Sequence, residues 1–200
     1  MTFVTKNFNR GGCPRFNARK HGVRRGKARN LFIKGELLTD LVIPSSVDSI
    51  NAYAFAGNYA LNTVTIPTNL KRIGAYAFSD CSNLLQTIYK GDIASWCSMY
   101  FANESANPVS YSNNLYLGEH NLVDLSIPQS VTQISDYAFV GCKSLSSVHL
   151  PASIKRIGVA AFQDCINLSS THFGGDIASW CGIQFASVAA NPISCSENLF

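Results

Sequence analysis

Apolar positions recur along this chain with one spacing. From Leu122 to Cys142, an alternating apolar segment ends in Ile127-Pro128, followed by Val131, Ile134 and then Ala138-Phe139. Three other stretches keep this frame: Ile43-Pro44 to Phe55, Ile66-Pro67 to Phe78, and Leu150-Pro151 to Phe162. Alternation over a few residues predicts a strand with one buried face. The proline that follows has no N–H and ends the ladder there.

The frame is periodic. Pro44 and Pro67 are 23 residues apart, as are Pro128 and Pro151, and 84 residues separate Pro44 from Pro128 and Pro67 from Pro151. The same 84 separates Trp96 from Trp180, Cys97 from Cys181 and Asn107 from Asn191. Asn30-Leu31-Phe32 returns as Asn114-Leu115-Tyr116 and as Asn198-Leu199-Phe200. The unit of duplication is therefore 30–113, repeated as 114–197, with three residues of a third copy beyond. One rung of this length cannot bury its own apolar side chains, whereas stacked rungs can align them in ladders. The expected fold is an α/β solenoid of leucine-rich-repeat type. Six parallel-strand rungs are predicted near 40–43, 63–66, 86–89, 124–127, 147–150 and 170–173, about 4.8 Å apart.

In each super-repeat the third rung is longer and carries a predicted helix. Asp92 and Asp176 suit the N-cap. Ile93, Trp96, Cys97, Tyr100 and Phe101 fall on one helical face, which predicts a helix over 93–102 with Trp96 in the core. Ile177, Trp180, Cys181 and Phe185 repeat this face, and Trp180 is likewise expected to be buried. Asn107-Pro108 and Asn191-Pro192 mark turns. Segments 30–43 and 114–127 read as hairpins.

The frame Ile-Pro-x-Ser-Val-x-x-Ile-x-x-x-Ala-Phe-x-x-Cys-x-x-Leu resembles the BspA-type leucine-rich repeat. The long rung, Gly91-Asp92-Ile93-Ala94-Ser95-Trp96-Cys97 through Asn107-Pro108, resembles a variant rung of the same family. The resemblance covers about 30–200. It implies a non-enzymatic adhesion or protein-binding module of the kind found in surface proteins of anaerobic bacteria and parasitic protists.

Charge divides the chain. Residues 1–29 hold nine basic side chains and no acid: Lys6, Arg10, Arg15, Arg19, Lys20, Arg24, Arg25, Lys27 and Arg29. Residues 30–200 hold the other seven basic residues and all twelve acids. Two domains follow, a basic Gly/Arg-rich arm over 1–29 and an acidic solenoid over 30–200. An arm of this composition does not fold alone. It reads as a solvated tail, as a targeting segment, or as an anchor on nucleic acid or another acidic surface. Phe3, Phe8 and Phe16 between its charges suit base stacking or anchoring in a protein groove, without choosing between them. It has no continuous apolar core of the secretory-signal kind. That favours an intracellular protein, or a component of an assembled particle, over classical secretion. No run of 18 apolar residues occurs, so no membrane span is expected.

The sequence offers little for catalysis. Seven cysteines include no Cys-x-x-Cys, and His21, His120, His149 and His172 are scattered, so neither metal nor cofactor is expected. Cys81, Cys142 and Cys165 share one repeat position and read as a buried ladder of reduced thiols, although a bridge between Cys142 and Cys165 on adjacent rungs is geometrically open. Cys97 and Cys181 lack a repeated base, which argues against a nucleophile. Lys71-Arg72 and Lys155-Arg156 read as solvated turns or as two basic spots.

The expected contact surface is the outward strand face, at Thr63, Thr65, Asp124, Ser126, Ser147 and His149, which suits a broad protein partner. The C-terminal end of the solenoid, with Phe162, Leu168, Phe173 and Phe200, is expected to present unpaired strand backbone and to invite self-association. The resulting reading is a non-enzymatic binding or structural protein, tethered by its arm to a larger assembly such as a virion or ribonucleoprotein. The alternative is a surface adhesin or host-interaction protein.

Overall fold

The computed structural model describes residues 30–195 and the strand Asn198–Leu199. All six predicted strands form. Asp40–Val42, Thr63–Ile66 and Gln86–Tyr89 pair in parallel, as do Asp124–Ser126, Ser147–Leu150 and Ser170–Phe173. Each step pairs residues 23 apart, as in Val64 with Leu41 and Thr171 with Val148.

The two groups belong to separate sheets. Between them, Leu115–Leu117 turns back on His120–Asn121 as a hairpin and also pairs in parallel with Gln86–Tyr89. That strand acts as a further rung of the first sheet. Because its partner runs back antiparallel, the ladder stops there, and Asp124–Ser126 starts a new one. The first hairpin, Phe32–Ile33 with Glu36–Leu37, forms a two-stranded sheet of its own.

A second ladder runs along the opposite side of each rung. Ser49–Ile50, Arg72–Ile73 and Tyr100–Phe101 form one parallel sheet, and Gln133–Ile134, Arg156–Ile157 and Gln184–Phe185 form its counterpart. This ladder shortens the predicted helix. Ile93–Ser98 is helical, with the Asp92 carboxylate accepting from the Ser95 N–H at 2.8 Å, but Met99 is extended and Tyr100–Phe101 joins the sheet. Cross-strand pairing with Arg72–Ile73 outweighs another helical turn.

The repeated turns show why the frame recurs. After each proline the chain folds back with an i+3 N–H bonded to the proline carbonyl, at Val47, Leu70, Val131 and Ile154. Two residues before each repeated phenylalanine the backbone is left-handed, at Tyr53, Tyr76, Tyr137 and Ala160 (φ 61°, 58°, 61° and 51°). That conformation is costly for a side-chain-bearing residue. It turns the following Ala-Phe pair inward, where Phe55 stacks on Phe78 and Phe139 on Phe162 at centroid separations of 5.4 and 5.5 Å. Gly74 and Gly158 are needed for a different reason. A Cβ at Gly74 would lie 2.4 Å from the Ala52 nitrogen, and one at Gly158 2.3 Å from the Asp136 nitrogen, so neighbouring rungs approach too closely for any side chain.

The core runs continuously along the inside, from Leu41 and Ile43 through Trp96, Phe101 and Leu125 to Phe162 and Leu168. The halves meet through the first long rung. The Trp96 indole Nε1 donates to the Ala138 carbonyl at 2.8 Å, and the Asn107 amide donates to the Tyr137 and Ala138 carbonyls at 2.8 and 3.0 Å. The Ser135 N–H donates to the Cys97 carbonyl at 2.8 Å.

Two expectations for the C-terminal end are corrected. Asn198–Leu199 pairs in parallel with Ser170 and Thr171, so the last strand is not an open edge over those residues. Phe162 and Leu168 are buried rather than presented; the Phe162 N–H donates to the Ala189 carbonyl and the Cys195 thiol donates to the Phe162 carbonyl. Trp180 is only partly buried, unlike Trp96, because among the described residues no further rung covers Ile177–Cys181 as the turn at Ser135–Ala138 covers Ile93–Ser98.

Candidate functional site

The outward faces of the two strand sheets form registered rows. In the first sheet Asp40, Thr63 and Gln86 stand side by side, and next to them Val42, Thr65, Ile88 and Tyr116. In the second, Asp124, Ser147 and Ser170 form one row and Ser126, His149 and His172 the other. All six residues named for this surface therefore lie on it, four in the second sheet and two in the first.

Hydrogen bonds fix the rows. Asp40 accepts from the Thr63 hydroxyl at 2.6 Å and from Thr39 at 2.9 Å. Asp124 repeats the arrangement, accepting from Ser147 at 2.6 Å and Ser146 at 3.2 Å. The Thr63 hydroxyl, then that of Thr39, holds the Asp40 carboxyl below its ordinary range, because both bonds favour the charged form. Each sheet thus carries an anionic corner with its acceptor atoms pre-oriented.

The centre of each face is less uniformly polar than the strand pattern implies. Val42 is exposed, and Ile88 and Tyr116 continue its row. On the second sheet the His149 and His172 rings stack at 4.3 Å with an interplanar angle of 6°. These members were missed because the alternation was read on only three of the six strands, those ending at Pro67, Pro128 and Pro151. Counting 23 onward along the same positions reaches Gln86, Ile88, Ser170 and His172. The depression beside the histidines, lined by Ser126, Gln129, His149, His172 and Phe173, encloses ≈ 270 Å³. Small-molecule pockets usually run from about 300 to 1,000 Å³ and close around their ligand. A shallow, ridged face suits another protein chain better.

The remaining candidates resolve into structure. Cys81, Cys97, Cys142 and Cys165 are buried free thiols, so the bridge left open between Cys142 and Cys165 is not formed. Burial pushes the Cys81 thiol up to about 11 and Cys97 to about 12, and raises Cys142 and Cys165 as well. A thiol raised by desolvation is a poor nucleophile at neutral pH. Cys165 donates to the Phe139 carbonyl and Cys81 to the Phe55 carbonyl, so the ladder ties neighbouring turns together. Cys181 is exposed. Among the described residues no group of three or more metal-ligating side chains occurs. No described helix is long and apolar enough to cross a membrane.

The arginines of the two Lys-Arg pairs are engaged by neighbouring side chains. The Arg72 guanidinium lies over the Tyr100 ring, 5.1 Å from its centroid, and Arg156 reaches Asp136 at 3.3 Å. Phe173 is partly buried, its ring 5.2 Å from that of Trp180. Phe200 and the nine basic residues of the arm, Lys6 through Arg29, lie outside the described residues.

No curated protein sequence matches the chain. Similar solved structures include a leucine rich cell surface protein from Faecalibacterium prausnitzii, 26% identical over 74% of this chain and 35% of that one, TM-score 0.40. Another is the T. pallidum Leucine Rich Repeat protein, 19% identical over 80% of this chain and 78% of that one, TM-score 0.46. A leucine-rich repeat protein from Bacteroides ovatus is 27% identical over 67% of this chain and 37% of that one, TM-score 0.38. The chain thus spans about a third of the Faecalibacterium protein's length. The BspA type Leucine rich repeat region matches in 6 copies, over residues 28–117 and 110–199. With six turns of matching period stacked over nearly all of its length, the chain belongs to the BspA-type leucine-rich repeat family.

Proposed function

We propose that this chain is a non-enzymatic protein-binding module whose contact surface is the outward face of its two parallel strand sheets. The observation that carries this reading is the pair of registered rows on each sheet. Their acidic corners are held by Thr63 and Ser147, and Val42, Ile88 and the His149–His172 stack are set among them. Such a face offers fixed acceptors and modest apolar area over a wide span, which fits a protein partner. The raised thiols of buried Cys81 and Cys97 make those two side chains poor nucleophiles.

The composition of residues 1–29 favours a second element of this reading. Nine basic residues without an acid suit an arm that tethers the module to an acidic or phosphate-rich surface in a larger assembly, such as a virion or ribonucleoprotein. The family membership favours adhesion to another cell or host as the alternative setting.

Affinity purification of the full chain with mass spectrometry tests both parts. Thr65→Arg with Ser126→Arg should remove a protein partner that Lys90→Glu, outside the rows, retains. Deleting 1–29 should abolish any nucleic-acid binding, whose log K should fall by about 0.7–0.9 per phosphate contact per log unit of salt. Equal recovery of partners by the face variant would refute the strand-face reading. An unchanged salt slope without the arm would refute the tether.

A further inference from the structure

We propose that copies of this chain stack head to tail, the long rung 170–195 of one copy docking on the first hairpin and rung of the next. The internal junction between the two super-repeats supplies the template. Residues of the first long rung are covered by the second super-repeat, while their counterparts 84 positions on are open. Ile93 is 8% exposed and Ile177 74%; Trp96, Cys97 and Phe101 are buried, whereas Trp180 and Phe185 are half-buried and Cys181 is exposed. The other end mirrors this. Leu115 is fully buried against the first long rung, and its counterpart Leu31 is 37% exposed, beside exposed Phe32 and Ile33.

The two open faces are therefore the two halves of an interface that this chain already makes once, internally. A second copy fits because it carries the required surface in the required register. Residues 177–195 contain no charged side chain, and the one acid of the rung, Asp176, caps its own helix by accepting from the Ser179 N–H. The groove on that face, about 510 Å³, is lined by Phe185, Ser187, Val188, Asn191, Ile193 and Ser194. At the internal junction the same ground is occupied, and Gly141 (φ 70°) packs so tightly that a Cβ would lie 2.9 Å from the Ser110 Cα. Gly141 corresponds to Gly57, which has the same left-handed backbone (φ 73°).

The polar groups match too. Trp96 Nε1 and the Asn107 amide donate across the internal junction to the Ala138 and Tyr137 carbonyls. Among the described residues the Trp180 indole and the Asn191 amide nitrogen make no such bond, although Asn191 Oδ1 still accepts from the Ile193 N–H at 3.1 Å. In the stack they meet the next copy's Ala54 and Tyr53 carbonyls. The strand place beside Ser170 and Thr171 is held by Asn198–Leu199 of the same chain. The incoming Asn30-Leu31-Phe32 has the same sequence as Asn198-Leu199-Phe200 and takes that place by strand exchange. The contact joins two different faces, so each pair leaves one of each face open, and because the template stacks rungs along one axis the assembly propagates.

Sedimentation velocity on the full chain, with Ile177→Glu and Phe32→Glu, tests the proposal. The wild type should grow in mass with concentration, and each variant alone should remain monomeric. Mixing them should restore one good junction and stop at a heterodimer. In a Trp96→Phe background, Trp180 emission should shift to the blue as mass grows. Deleting 198–200 should tighten association. A wild type that stays monomeric at high concentration, a variant that dimerises by itself, or a mixture that stays monomeric would each overturn the proposal. Failure here leaves the strand-face reading intact, because neither substitution lies on that face.

Discussion

Trp96 and Trp180 occupy the same sequence, Ile-Ala-Ser-Trp-Cys, in two environments, so replacing each by alanine weighs the junction between the super-repeats. Trp96 is fully buried, packs on Tyr89 and Phe101 at 5.1 and 5.4 Å, and donates to the Ala138 carbonyl. Truncating a fully buried aromatic costs about 3–5 kcal/mol. The lost indole bond, typically worth about 1 kcal/mol, places Trp96→Ala at the upper end of that range. Asn107 still reaches Ala138, so the carbonyl is not orphaned. Trp180 keeps its contacts with Phe173 and Phe185 but among the described residues lacks cover and an indole partner, so Trp180→Ala should cost at least about 1–2 kcal/mol less, as it opens no sealed cavity. Urea unfolding of dilute monomer, followed by far-ultraviolet circular dichroism, reads both values. Iodide should quench Trp180 and spare Trp96. Equal losses for the two variants, or a loss below about 1 kcal/mol at Trp96, would refute the account of the junction.

Under native conditions at neutral pH, iodoacetamide should modify Cys181 and spare Cys81, Cys97, Cys142 and Cys165; comparable labelling of Cys165, read by peptide mass spectrometry, would contradict its burial. Gly158→Ala should cost about 1–3 kcal/mol by forcing the Ser135–Asp136 backbone away, and a neutral result in thermal unfolding would show that the rungs have slack. Because the Asp40 carboxyl is held low in the folded state, the stabilisation it brings is complete above its ordinary value of about 3.9 and is lost as pH falls through the folded one. Thr63→Val should raise the Asp40 titration midpoint, measured by NMR, and an unmoved midpoint would remove Thr63 as the cause.

Spacing made most of this architecture legible. A proline at fixed intervals located four strands, because a ladder cannot continue through a residue without an N–H, and counting 23 onward from Pro67 and Pro151 placed the two third-rung strands. What spacing did not reveal is pairing. Leu115–Leu117 has the composition of a hairpin arm, and it is one, but nothing local shows that its other edge takes Gln86–Tyr89. The helix was overextended for a similar reason. Tyr100 and Phe101 keep the helical period, yet cross-strand partners 28 positions back decide their conformation. Trp180 was expected to be core because Trp96 has that pattern; sequence identity at a repeat position carries no information about whether a neighbour exists. The strand-face residues were found where alternation was read and missed on the first strand and the third rungs, where it was not.

The break between the two strand sheets has a mechanical meaning. Within each super-repeat, tension along the stack is shared by continuous ladders on both sides of the rung. At the seam neither ladder continues, and load passes through a few bonds: two side-chain amide bonds from Asn107, one from the Trp96 indole, and backbone links such as Ser135 to Cys97. A solenoid built in this way is stiff in two segments and compliant between them. Pulled along its axis, it should yield first near 113–122, leaving each half folded as a shorter spring.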